Sequence, residues 1–391
     1  MRISSLLLFA SGSLCIGVFA LGCGTETTDS TPYVSVDSGA SGAAGEAGSG
    51  GSGGTGGSSA TGGTGGEIGD SSTFDVHPDD ASLPPGETIL YAHDRDTLYT
   101  VDPEDPQLSV KKIGEFDCIG PNGEPSMTDI AVDKEGKLYG VSSRAIFLDM
   151  KIDGNTVKCN AGKVNIVEGT LGSNARFYGL TMAPPTAELG NEETLIGANT
   201  LGELYLINRT TGALTPVGKF GTVPATDGRG HSYPTDHVGT NWALSGDMVF
   251  LTNQGSPVGF ATLRDCEDPA KAPAGCSTVD TLVEIDVTKL KPITSGAVPI
   301  VTKSIRGQIL PNGCSEESCG YGSIYGVAAF NNRVYGFVYK RGEGTNDPTG
   351  MLISIDNDTG AAQYISTPLS GDGFAGAGVT TLAPIIAPPP K

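Results

Sequence analysis

Positive charge is what this sequence has least of. Against 44 Asp and Glu it carries 24 Lys and Arg, a net charge of -20 at neutral pH. So acidic a chain repels phosphate backbones and anionic headgroups, which excludes nucleic acid and direct adsorption to a membrane as partners. Aromatic residues make up 6%, with the one Trp at 242. With no cofactor motif beside that Trp, no redox cofactor is expected. No Cys-x-x-Cys and no Cys/His cluster of zinc spacing occurs, which argues against a metal site. Residues 88–384 lack a Gly-x-Ser-x-Gly elbow, so a serine nucleophile of that type is excluded. Long apolar runs are missing too: the longest, near the N-terminus, is too short and broken for a membrane span.

That N-terminal stretch has the composition of an export signal over residues 1–22. Arg2 supplies the positive end, Leu6, Leu7, Leu8, Phe9 and Ala10 start the apolar run, and Val18 to Leu21 finish it. Its end, Ala20-Leu21-Gly22-Cys23, resembles the lipobox of bacterial lipoproteins. The resemblance covers four residues and has Ala where Leu is commonest. It implies cleavage before Cys23, lipidation of Cys23 and a lipid anchor in the outer membrane or at the cell surface of a bacterium. Cleavage without lipidation, giving a secreted protein, is the alternative.

Residues 23–86 hold no Lys or Arg, and 39–69 are almost wholly Gly, Ser, Ala and Thr. Such a segment has too little apolar area to offset its ordering entropy and is expected to be a disordered, acidic tether. As a flexible coil it spans on the order of 45 Å.

Residues 87–386 carry a repeated phrase: an apolar strand ending on Asn or Asp and falling into a turn. Its copies are 98–102, 149–153, 204–208, 282–286 and 352–356. The terminal Asp102, Asp153, Asn208, Asp286 and Asp356 are turn residues, since a short acceptor can take the backbone N–H groups that follow. A second strand set precedes the phrase (89–92, 138–141, 195–198, 249–252, 334–337). A more polar third set follows it (110–116, 163–167, 214–220, 300–305, 363–367). A small, apolar fourth set opens each unit at 129–132, 179–182, 241–244, 326–329 and 378–381. Four strand types, five of each, make the chain all-β. The array resembles a five-bladed β-propeller of four-stranded blades. The first unit lacks an opening strand and the last one at 378–381 has no unit after it. The resemblance therefore implies that the C-terminal strand completes the first blade and removes two open edges. Residues 387–391 form a tail.

Six Cys remain after Cys15 and Cys23, an even number suited to an exported domain. Local pairing is expected for Cys314 with Cys319 and for Cys266 with Cys276. Cys118 with Cys159 follows by elimination and would clip the first unit to the second.

The long insertions at 118–126, 222–240, 254–280, 307–323 and 341–350 collect at one end of such an array, which marks a working face. At its centre the first residues of the inner strands are the candidate ligand-binding set: Asp129, Tyr178, Asn241 and Tyr325. The loop 227–237, with Asp227, His231, Asp236 and His237, is better read as an ordinary surface loop than as a metal site. The function expected is a non-catalytic binding or scaffold module, monomeric, for an extracytoplasmic glycan or protein. The alternative is a carbohydrate-active hydrolase, which needs a second carboxyl near Asp129; Asp236 and Asp372 are its loop candidates. No catalytic residue is assigned.

Overall fold

A computed structural model describes residues 89–383, except 168–170, 172–174, 254–255, 316, 332, 341–348 and 370–372. The expected signal (1–22), the tether (23–86) with Cys23, the tail (387–391) and Asp372 lie outside the described residues.

The described chain is all-β, with short 3-10 turns. In order, β1 (Leu90–His93), β2 (Thr97–Val101) and β3 (Val110–Phe116) form an antiparallel meander. They are followed by β4 (Asp129–Val132), β5 (Leu138–Val141), β6 (Ala145–Asp153), β7 (Thr156–Lys158) and β8 (Lys163–Asn165). Then come β9 (Phe177–Ala183), β10 (Thr194–Asn199), β11 (Glu203–Ile207) and β12 (Leu214–Lys219). The fourth unit is β13 (Ala243–Asn253), β14 (Ser256–Arg264), β15 (Thr281–Ile285) and β16 (Thr302–Gln308). The fifth is β17 (Ile324–Phe330), β18 (Arg333–Lys340), β19 (Thr349–Ile355) and β20 (Ala362–Ser366), and β21 (Gly376–Val379) ends the series.

The last three units are separate four-stranded antiparallel sheets in meander order. In the first, β21 pairs antiparallel with β1 over Leu90↔Val379 to His93↔Gly376. The C-terminal strand thus supplies the strand that the first unit lacks. In the second, β8 pairs with β6 as the fourth strand. One feature was not legible in the sequence. β7 pairs antiparallel with β6 and parallel with β3, which fuses the first two units into one nine-stranded sheet. Gly114 permits this, because a Cβ there would overlap the backbone of Asn155 and Thr156.

The repeated phrase maps onto β2, β6, β11, β15 and β19, and its polar end does what a turn requires. Asn208 Oδ1 accepts from the N–H groups of Thr210 and Thr211, both at 2.9 Å. Asp356 Oδ1 accepts from those of Asp358 and Thr359 at 3.1 and 2.9 Å, and Asp102 Oδ1 from that of Glu104 at 2.8 Å. These side chains hold the bend to the outer strand.

The core lies between successive sheets rather than inside any one of them. One apolar layer joins the first and second units through Leu98, Phe116, Ile130 and Phe147. Others join the second and third through Phe177 and Leu195, and the third and fourth through Trp242, Phe250 and Val283. A fourth layer includes Leu90 and Val101 of the first unit, Leu251 of the fourth, and Phe337 and Ile353 of the fifth. Alternation along β1 explains how one strand serves two layers: Leu90 faces one and Tyr91 the other.

The opening strands contact one another in a circuit, β4 with β9, β9 with β13, β13 with β17, β17 with β21, and β21 with β4. Small residues set the spacing. A Cβ on Gly246 would overlap Ile324 O and the backbone of Tyr325, and one on Gly326 would meet Gly376 and Ala377.

In the fourth unit the third and fourth strands fall where the sequence implies, and the second does not. Residues 249–252 belong to the opening strand β13, and the second strand is β14. Pro257 and Gly259 make β14 read as loop, yet Pro is tolerated near the start of a strand. β21 likewise begins two residues earlier than expected.

Candidate functional site

In a meander, the start of the opening strand, the end of the second and the start of the third lie at one end of the sheet. The residues that meet at that end of the inner circuit begin with three tyrosines. Tyr178 is at the start of β9, Tyr325 at the start of β17 and Tyr339 at the end of β18. Tyr178 and Tyr325 have ring centroids 6.2 Å apart although β13 lies between their strands. Tyr325 stacks on Tyr339 at 5.3 Å with 26° between the planes. All three are partly exposed. Burial of its hydroxyl pushes the Tyr325 phenol up to about 12, so it stays neutral.

Beside Tyr325, Arg264 from the end of β14 forks onto Asp280, with Nε and Nη2 3.0 and 2.8 Å from Oδ1. Asp280 is fully buried; it also accepts from Ser245 Oγ at 2.6 Å and from the Ile324 N–H at 2.9 Å. The ion pair cancels both charges and ties β13, β14 and β17 together under the rings. Among the described residues, this side of the mouth is therefore aromatic and polar, with the charges of Arg264 and Asp280 cancelling one another.

Beneath it lies a buried acid pair. Asp129 on β4 and Asp247 on β13 face one another across β9, close enough for the charge of one carboxyl to act on the other, and both have zero exposure. Asp129 Oδ2 accepts the Leu180 N–H at 2.5 Å, and Asp247 Oδ2 accepts the Val327 N–H at 2.8 Å. Asp247 Oδ1 accepts the N–H of Met248. Burial raises the pKa of both carboxyls, and the charge of Asp247 raises that of Asp129 further. Buried His93 at the end of β1 bonds Asp94 O through Nδ1 at 2.6 Å, which makes Nδ1 the donor and leaves Nε2 a lone pair. Burial lowers its pKa to about 4, so it is neutral. A Cβ on Gly376 would meet both His93 Nε2 and Asp129 Oδ1.

Of the four expected site residues, Tyr178 and Tyr325 meet and Asp129 lies buried under them. Asn241 does not join them: it is exposed, bridged to Thr222, ahead of β13. The inner position expected for Asn241 is held by Asp247, because an irregularity between Leu244 and Met248 advances the strand. Gly246-Asp247-Met248-Val249 repeats the Asp-then-apolar start of Asp129-Ile130-Ala131-Val132, and that similarity is the signal that would have found it. His93 and Tyr339 were missed because both end second strands.

The three disulfides pair Cys118 with Cys159, Cys266 with Cys276 and Cys314 with Cys319. The latter two lie in the loops before β15 and β17, on the tyrosine end. Loop 227–237 folds onto its neighbours. Asp227 accepts from the N–H groups of Arg229, His231 and Gln308 at 2.8 Å each and from His231 Nδ1 at 3.0 Å. His237 Nδ1 lies 2.7 Å from Asp265 Oδ2, which Ser277 Oγ also reaches at 2.6 Å. Asp265 sits between the other two, so the order is not that of a nucleophilic triad.

No family model matches the sequence, and no curated protein matches it. Among solved structures it is similar to a protein of unknown function from Bacteroides caccae, at 10% identity and a TM-score of 0.35, over 75% of this chain and 98% of the other. It is also similar to one of unknown function from Bacteroides thetaiotaomicron, at 12% identity and a TM-score of 0.34, over 76% of this chain and 64% of the other.

Proposed function

We propose that the described chain is a five-bladed β-propeller and that the protein is an exported, lipid-anchored binding or scaffold module. The closed order of inner-strand contacts, the pairing of β21 with β1 and the apolar layers between successive sheets support the fold. The three disulfides support an extracytoplasmic address. Cys23 as lipid anchor rests on the sequence of residues 20–23 and is tested by fatty-acid labelling of wild type against Cys23→Ser.

The observation that carries the binding function is the contact of Tyr178 with Tyr325 across β13, extended by Tyr339. Rings presented at a loop-rimmed mouth, over the Arg264–Asp280 ion pair, suit the apolar face of a neutral sugar. They also suit an uncharged segment of protein. The test is a screen of neutral glycans and of envelope proteins against purified protein. Saturable binding lost in Tyr178→Ala and Tyr325→Ala, with circular dichroism unchanged, is the expected result. Binding indifferent to both substitutions would remove the mouth from the account.

The hydrolase reading gains a second carboxyl, since Asp247 faces Asp129. It is disfavoured by burial. Glycosidase carboxyls stand about 5 to 9.5 Å apart around a substrate, whereas these two face each other with no exposed surface. Turnover of a glycoside that Asp247→Asn abolishes would reverse that preference.

A further inference from the structure

The acid pair under the mouth poses a physical problem. Among the described residues, no cationic side chain is paired with these two facing carboxyls of zero exposure. The charged or titratable groups of the described residues that face them are as follows. His93, from β1, is neutral, with its proton on Nδ1. β21 contributes only Gly376 and its small neighbours, and β9 and β17 contribute backbone N–H groups with Tyr178 and Tyr325 above. The cation Arg264 is committed to Asp280. Two bare carboxylates in such a place repel strongly.

Two atoms also lack partners. Asp129 Oδ1 and His93 Nε2 are buried with no hydrogen-bond partner, and both flank Gly376. Each is an acceptor when Asp129 is ionised, and the missing object between them is a hydrogen.

We propose that Asp129 is a neutral carboxylic acid whose proton sits on Oδ1 toward His93 Nε2 and relieves the repulsion with Asp247, and that this proton fixes the two tyrosine-bearing strands. The first half stands on the facing carboxyls and the orphan atoms. The second follows from the chain. Asp129 Oδ2 holds the N–H of Leu180, two residues after Tyr178, and Asp247 Oδ2 holds that of Val327, two residues after Tyr325. The facing acids, with one charge between them, therefore link β9 to β17 through side chains. Loss of the proton puts two negative charges between those strands and drives them apart, which opens the Tyr178–Tyr325 contact. The consequence for ligand capture rests on the mouth being the binding site; the protonation itself does not.

The experiment reads the proton directly and uses no ligand. Infrared difference spectroscopy of the whole protein at neutral pH should show a carbonyl stretch of a buried, neutral carboxylic acid that persists when ordinary carboxylates are ionised. It should disappear on raising the pH, together with a change in tyrosine near-ultraviolet dichroism. Asp247→Asn, whose amide can donate to Asp129 in place of the proton, should abolish both changes. Should that variant fail to fold, the wild-type titration still decides: the folding equilibrium constant should fall up to tenfold per pH unit while the folded state holds one proton more than the unfolded chain, and level off once that proton is lost. Absence of the acid band in wild type would overturn the proposal. So would a stoichiometric divalent cation that co-purifies and whose chelation destabilises the protein, because a metal would then occupy the place given to the proton. A dichroism signal indifferent to pH while the band disappears would overturn the link to the tyrosines.

Discussion

The Cys118–Cys159 disulfide should be the most valuable of the three, and the reason lies in the topology. It closes a separation of 41 residues, against 10 for Cys266–Cys276 and 5 for Cys314–Cys319. Cross-linking restricts the unfolded chain by an entropy that grows with the logarithm of the closed loop. That treatment gives about 4 kcal/mol for the first bridge, about 3 for the second and about 2 for the third. Native-state location reinforces the order. Cys118 and Cys159 are buried, just past β3 and β7, the parallel pair that fuses the first two sheets. Replacing both by Ala should lower unfolding free energy by about 4 kcal/mol, close to a thousandfold in the folding constant. Urea denaturation of the three double-Ala variants, followed by Trp242 fluorescence, measures the series. A loss at Cys118–Cys159 no greater than that at Cys314–Cys319 would refute the reasoning, because loop closure would then not govern these bridges.

Three further outcomes are expected. Tyr325→Ala should abolish ligand capture while shifting stability by less than Tyr91→Ala, because Tyr91 is in the apolar layer and Tyr325 is at its rim; binding and thermal melts separate the two. Raising the pH should destabilise the protein. The one proton kept by the Asp129–Asp247 pair, whose carboxyls burial holds above their ordinary value, gives stability that is complete below about 3.8 and is lost as pH climbs through the raised value. The lowered pKa of His93 works in the opposite sense, losing stability as pH falls from 6.5 toward about 4, so the decline should be clearest above neutrality in a pH series of melts. Gly246→Ala should cost about 1 to 3 kcal/mol by overpacking, since its Cβ would press on the β17 backbone at Ile324 and Tyr325; unchanged stability would mean that β13 and β17 are less closely apposed.

Much of the fold was written in local chemistry. Strands such as β3 and β5 have the bounds their alternation implies, and Asn208 and Asp356 bind the amides that their turns need. Two disulfides followed from local spacing and Cys118 with Cys159 from elimination. What escaped depended on tertiary context. Pro257 and Gly259 disguise a central strand whose pairing with β13 and β15 overrides weak β propensity. β7 is three residues long and gains its place from a long-range parallel partner. At the site, Tyr178 and Tyr325 were legible because both begin opening strands. Asp247 was not, since the irregularity before Met248 shifts it by several residues from where repeat counting puts it.

Closure of the array by its last strand is the claim on which fold, mouth and acid pair all depend. A variant ending at Ala375 removes β21 and with it the four register pairs to β1. At about 1 kcal/mol for each lost hydrogen bond, before any apolar exposure, that is a large part of a typical domain's 5 to 15 kcal/mol. Native-state hydrogen exchange on this variant and the wild type is the direct measurement. The account predicts that amides of Leu90 to His93, and those of Ile130 and Val327 on the strands beside β21, lose protection together with overall stability. Wild-type protection throughout β1, β4 and β17 in the shortened chain would contradict it.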